Sequence, residues 1–288
     1  MRTKLILALL LISTFTFSGA ASSLFDTGIG EAAVIQLNGP IQPTSGTGLG
    51  STAGINPEQV RDLNNQAENR GVDAIVYEIN SGGGAVVASK EIQRSIEEVD
   101  IPTVCRFRDL AASGAYLFSL GCDRIVADSA SVTGSIGVRA SYLEFSDLIE
   151  EYGITYVNVT AGEFKETGSQ FDDLSEAEEK QLKQRVETVH EEFKDQVREG
   201  RNLNETEIEE VATGEIFLGE EAQELDLVDR LGGRQTAYST AENLTDKDLD
   251  FVSVQQSEDL DPFSLLISSI FPNFNLNSQG SVLRAEYP

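Results

Sequence analysis

Histidine is nearly absent from this chain of 288 residues: there is 1, alongside 2 cysteines, 1 methionine and no tryptophan. With a single imidazole, a Ser-His-Asp triad has only His190 to draw on. The flanks Glu187-Thr188-Val189-His190-Glu191-Glu192 read as a charged helix surface rather than a cleft. No Cys/His cluster has metal-ligand spacing, so no metal site is expected, and no motif asks for a cofactor. Cys105 and Cys122 are too few for a disulfide scaffold at this length, and Cys105, inside an apolar run, is expected to pack as a small hydrophobe. Positive charge is scarce too. Lys and Arg total 21, of which 7 are Lys, against 48 Asp and Glu, a formal net charge of -27. Such a surface repels nucleic acid and anionic headgroups, so no nucleic-acid partner is expected. Scarce lysine beside abundant acid predicts a halophilic, archaeal source, where a Debye length of about 3 Å at 1 M salt screens the self-repulsion.

Only one apolar run approaches the length of a membrane span. Met1-Arg2-Thr3-Lys4 precedes a run from Leu5 to Phe17, and Ser18-Gly19-Ala20 offers small residues for cleavage. Leu5 to Ala21 sits at the lower end of the roughly 17–25 residues that a span needs, so a removable signal peptide and a retained anchor both fit. Either way Arg2 and Lys4 stay cytoplasmic and the rest crosses, which predicts attachment to the membrane through the N-terminus, or secretion after cleavage. The sequons at Asn158, Asn204 and Asn243 fit an exported chain.

Four regions follow: residues 1–21 as signal or anchor, 22–56 as linker with a first strand, 57–235 as the core, and 236–288 as an acidic tail. The tail carries an apolar segment, Pro262 to Phe271, too short to span and expected to dock on the core. In the core, Asn56 and Pro57 open a helix that Gly71 stops, and strand Ala74 to Ile79 leads into Gly82-Gly83-Gly84. A helix from Val86 to Val99, strand Thr103 to Phe107, helix Ser113 to Leu120 and strand Arg124 to Ala127 continue the alternation. Ser175 and Glu178 form a capping box, beyond which Leu182, Val186, Val189, Phe193 and Val197 make one apolar stripe. Strands alternating with helices predict an α/β fold of βαβ units around a parallel sheet, with ligands beyond the carboxyl ends of the strands.

The glycine loop and Ser113 both fall at such ends. In Ala111-Ala112-Ser113-Gly114-Ala115 small side chains let a peptide approach the hydroxyl, although a serine there also fits a helix N-cap. With histidine set aside, a neutral lysine amine is the remaining base for Ser113, and Lys165 in Gly162-Glu163-Phe164-Lys165-Glu166 is the candidate; alone it would read as a solvated lysine. A lysine base must lose its proton, which requires burial among apolar groups such as Phe164, with Glu163 and Glu166 turned outward. The N–H groups of Gly83 and Gly114 are the candidate oxyanion donors.

The stretches Ile79-Asn80-Ser81-Gly82-Gly83-Gly84, Ala111 to Tyr116, Thr133-Gly134-Ser135-Ile136-Gly137-Val138 and Gly162 to Glu166 resemble, in order and spacing, the signal peptide peptidase A (SppA) group of Ser-Lys membrane peptidases. Members of that group carry Ser-Pro-Gly-Gly where this chain has Ser81-Gly82-Gly83-Gly84. The resemblance implies a ClpP/crotonase-like fold, Ser113 as nucleophile, Lys165 as general base and Ser135 as the residue that positions the lysine. It implies peptide substrates such as signal-peptide remnants, and a homo-oligomer in which Ser113 meets the lysine of a neighbour. Three other readings use the same fold: a protease that clips a stomatin-like membrane partner, an acyl-CoA enzyme, and an inactive scaffold.

Overall fold

The residues of the second strand alternate between two buried faces, and this arrangement positions everything else. In the computed structural model, which describes residues 28–44 and 54–255, strand β2 (Ala74–Ser81) sits inside the sheet with seven of eight residues buried. Ile75, Tyr77 and Ile79 point into one hydrophobic cluster, while Ala74 and Val76 point into another. A period of two with both faces buried is the signature of a sheet covered by helices on each side.

The remaining elements in chain order are β1 (Gly30–Asn38), α1 (Pro57–Arg70), α2 (Val86–Glu97), β3 (Thr103–Ala112), α3 (Gly114–Ser119), β4 (Arg124–Ala127) and β5 (Val132–Gly134). They are followed by α4 (Ser146–Glu151), α5 (Glu176–Arg201), α6 (Glu205–Val211), β6 (Ile216–Leu218), α7 (Gly219–Glu224), β7 (Arg230–Leu231), α8 (Arg234–Thr245) and β8 (Leu249–Val254). The sheet runs β6-β5-β3-β2-β1-β8, with β4 and β7 continuing from β3 on a second path. Every pairing is parallel except β5 with β6. This is the α/β, ClpP/crotonase-like architecture expected.

Local chemistry sets the element ends. Asn56 caps α1 through its side chain, which accepts from the Gln59 N–H at 2.9 Å, and Gly71 closes the helix in the left-handed conformation. Ser175 and Glu178 form the capping box of α5 as predicted. A buried relay ties the first layers together: Tyr77 Oη donates to Asn64 Oδ1 at 2.8 Å, and Asn64 Nδ2 donates to the Ser95 carbonyl at 2.8 Å.

Cys105 does not pack as a free hydrophobe. It forms a disulfide with Cys122, with Cα atoms 5.8 Å apart. The reason is topological: β4 returns alongside β3 with Ile125 in register with Cys105, which brings the turn before β4 back to the buried thiol. The sheet also extends past both sides of residues 57–235, because β1 pairs with β2 on one edge and with β8 on the other. The described residues up to Val254 form one unit. The N-terminal run and the 262–271 segment lie outside the described residues. Among the described residues no helix is long and apolar enough to cross a membrane.

One stretch stands apart from this packing. Between Arg139 and Ser175 no residue is buried, and the stretch carries ten of the large exposed apolar side chains, among them Leu143, Tyr152, Val157 and Val159.

Candidate active site

Strands β2, β3 and β5 end side by side. Ser81 pairs with Ala111, and Ala112 pairs with Gly134, so the next residues out, Ser113 and Ser135, leave the sheet at neighbouring points. The Ser113 N–H donates to the Gly134 carbonyl at 2.9 Å, and the Ser135 N–H donates to the Glu215 carbonyl at 2.6 Å. Strand order thus brings together two serines that lie 22 positions apart in the chain.

The backbone of Ser113 is held in a conformation that side-chain-bearing residues rarely adopt, with φ 55° and ψ -123°. Such a backbone costs on the order of 1–3 kcal/mol and persists only where its surroundings enforce it. The surroundings here are the β5 carbonyl on one side and α3 on the other. All six residues of α3 are buried, and Tyr116 Oη anchors the helix by donating to the Leu227 carbonyl at 3.0 Å. The sharp strand-to-helix turn presents the hydroxyl at the floor of a cavity and leaves the Gly114 N–H, first in its helix, without an intrahelical acceptor.

Gly83 faces this turn so closely that a side chain cannot fit. Its φ is 88°, and a Cβ there would lie 2.6 Å from the Gly114 nitrogen and 3.0 Å from the Ser113 Cβ. The two amides expected to bind an oxyanion are therefore adjacent. That of Gly83 donates to Ser81 Oγ at 3.1 Å in the resting chain. Gly82, where the resembling group has proline, has no positive φ, and a Cβ there would meet only the Leu110 side chain, at 3.4 Å.

The cavity encloses about 800 Å³. Ser113, Ser135 and the glycine loop form its floor, while Val189, His190 and Phe193 of α5 form a wall. Of the α5 stripe Val189 and Phe193 line the cavity, and His190, whose place beside that stripe marks it as a surface or boundary residue, lines the cavity with them. Its Nε2 is shielded from water and has no hydrogen-bond partner. The stripe, buried at Phe193 and Val197, carried the signal for a boundary position, while the acidic flanks hid the cavity beside it. Val138, the last residue of the Thr133 to Val138 motif, also lines the cavity, as do Lys90 and Arg139, which escaped the sequence reading.

Lys165 is elsewhere in the single chain. It lies in a turn within the exposed 139–175 stretch, where its N–H donates to the Gly162 carbonyl at 3.2 Å, and its side chain does not reach the cavity of its own subunit. Phe164 is exposed and Glu163 faces solvent, while Glu166 accepts from Tyr156 Oη at 3.2 Å.

A strained serine at the end of a parallel strand, beside paired glycine amides, is the arrangement that an α/β serine hydrolase requires. The chain belongs to peptidase family S49, whose profile matches residues 96–248. It is 34% identical over 210 residues to a protein of Enterococcus faecium named signal peptide peptidase SppA, the match covering 72% of this chain and 61% of that one. It is 33% identical over 200 residues to a protein of Methanocaldococcus jannaschii named as a protease, covering 66% and 64%. The chain thus spans less than two thirds of the length of these relatives. In fold it is similar to the 1510-N membrane-bound stomatin-specific protease, with a TM-score of 0.53 at 17% identity, covering 80% of this chain and 99% of that one.

Proposed function

We propose that the chain is a membrane-associated, extracytoplasmic serine endopeptidase that hydrolyses residual signal peptides or other apolar peptides, with Ser113 as nucleophile and Lys165 as base. The observation that carries this reading is the strained Ser113 turn facing the Gly83 and Gly114 amides across a cavity wide enough for several substrate residues. The Cys105–Cys122 disulfide supports a site outside the reducing cytoplasm. A second reading, cleavage of a stomatin-like membrane partner, draws on the fold likeness to the 1510-N protease.

In the reaction, Ser113 Oγ adds to the scissile carbonyl carbon while the neutral Lys165 amine takes the hydroxyl proton. The Gly114 N–H holds the resulting oxyanion, joined by the Gly83 N–H once it exchanges Ser81 Oγ for the substrate oxygen. Collapse breaks the C–N bond, and the Lys165 ammonium returns its proton to the leaving amine. Water then attacks the ester, giving its proton to Lys165; the acid departs and Ser113 recovers its hydrogen. Ser135 positions the amine.

Because Lys165 is remote from its own cavity, the base is supplied by a second copy of the chain in a ring-like homo-oligomer. The apolar side chains exposed along residues 142–171 support this arrangement, since a lone soluble chain seldom leaves such a patch uncovered. Burial against the neighbour would lower the lysine pKa as a base requires. A fluorophosphonate probe tests the chemistry: it should label wild type at Ser113 and not label Ser113→Ala. Lys165→Arg should lose at least about 10³ in peptide turnover, because a guanidinium keeps its proton. Near-normal turnover of Lys165→Arg would overturn lysine as base.

A further inference from the structure

The wall of the cavity has a charge opposite to that of the molecule. The chain carries 48 acidic residues and 21 Lys and Arg, yet among the described residues no Asp or Glu lines this cavity, whereas Lys90, Arg139 and the single histidine do. Lys90 is already engaged: its ammonium pairs with Glu192, which faces a separate shallow groove on the outer side. Arg139 and His190 are not. Arg139 has no ion pair or hydrogen bond among the described residues, and His190 Nε2 is shielded and unpartnered.

Two groups without a partner among the described residues, the exposed Arg139 guanidinium and the shielded His190 Nε2, line one cavity and leave a place there for an outside partner. A guanidinium presents a planar fork that fits a carboxylate through two parallel N–H···O bonds, and an imidazole with its hydrogen on Nε2 would add a third. A cationic cleft inside an anionic shell also draws in anions by focusing the field. An apolar pocket would not need either group, and Val138, Val189 and Phe193 already supply apolar contact for the rest of a peptide.

We infer that the cavity beside Ser113 selects a peptide carrying a carboxylate near the scissile bond, held by Arg139 and His190. These two are specificity-determining residues, distinct from the Ser113–Lys165 chemistry. The inference rests on the peptidase reading for its substrate, but the recognition itself is a binding event that can be measured without turnover. The carboxylate has two possible sources, an Asp or Glu side chain and a free peptide C-terminus.

The test uses full-chain protein and one fluorescent apolar decapeptide series. Glu, Gln or Lys is placed in turn at each position around the cleaved bond, and each peptide is made as C-terminal acid and as amide. Binding is read by anisotropy on Ser113→Ala, and kcat/KM on wild type. At one position Glu should exceed Gln by about tenfold in both readouts, the scale of one charge-assisted hydrogen bond, with Lys weakest. Acid exceeding amide regardless of internal Glu would instead assign the carboxylate to the C-terminus. In an Arg139→Gln background the Glu/Gln ratio should fall to about one, and Arg139→Lys should restore part of it, since the charge returns without the fork. His190→Gln should lower the ratio less. Equal affinity for acidic and neutral peptides, or a ratio that survives Arg139→Gln, would overturn the inference. Peptide hydrolysis without charge preference sinks this site and leaves the peptidase reading intact; charge-selective binding without hydrolysis does the reverse.

Discussion

Glu78 is a buried charge held by two arginines. It is fully buried on β2, where Arg234 donates through Nε at 2.8 Å and Nη2 at 3.0 Å, and Arg106 donates through Nη1 at 3.1 Å. Burial by itself pushes the carboxyl up, but the Arg234 hydrogen bonds, with the Arg106 charge behind them, outweigh it and hold the group below the usual carboxylate range. A carboxylate depressed in the folded state stabilises fully above the unfolded value of about pH 4.3, and that contribution is lost as pH falls through the lower folded value. Wild type should therefore melt above Glu78→Gln at neutral pH, with the gap closing progressively below about pH 4.3. Melting curves from pH 7 to 3 in molar salt check this, and a gap that stays constant to pH 3 would show that Glu78 adds nothing by ionisation. Ser113 and the glycine loop were legible in the sequence as small-residue stretches at strand ends, which is where the structure has them. Lys90, His190 and Arg139 were not read as cavity residues, since they come from α2, α5 and the segment after β5, and no local pattern encodes how those three converge over the strand ends.

At the scale of elements, caps and alternation carried most of the fold. Asn56, Gly71 and the Ser175 capping box marked helix ends that the structure keeps. Strands β4 and β2 showed themselves as apolar runs because both faces are covered. The strands missed were those whose own residues are too polar or too few to betray them: β5 and β6 have three residues each, β7 has two, and β8 reads Leu-Asp-Phe-Val-Ser-Val in an acidic neighbourhood; helices α4, α6, α7 and α8 were not read either. The disulfide was missed for the same reason as the cavity wall. Cys105 and Cys122 lie 17 positions apart and meet only because β4 returns beside β3; closing a loop of that size stabilises by about 3 kcal/mol. The exposed stretch from Arg139 to Ser175 is the opposite case. Its apolar side chains are plain in the sequence, but what covers them is not, because the cover proposed is another copy of the same chain.

For the whole molecule, charge and assembly are one problem. With a net charge of -27, association of identical chains must overcome mutual repulsion, and molar salt shortens its reach to about 3 Å. The melting midpoint and the assembled fraction should both rise from dilute buffer to molar salt; a midpoint that stays flat across the series would contradict the expectation of a halophilic protein. The central claim is that catalysis needs Ser113 from one subunit and Lys165 from another, and the most direct measurement is complementation. Ser113→Ala and Lys165→Ala proteins, each inactive alone, are mixed under conditions where labelled subunits are seen to exchange, and peptide hydrolysis is followed. Recovered activity in the mixture, at a sizeable fraction of wild type, is the predicted result. No recovery despite demonstrated exchange would place both residues within one subunit and contradict the account.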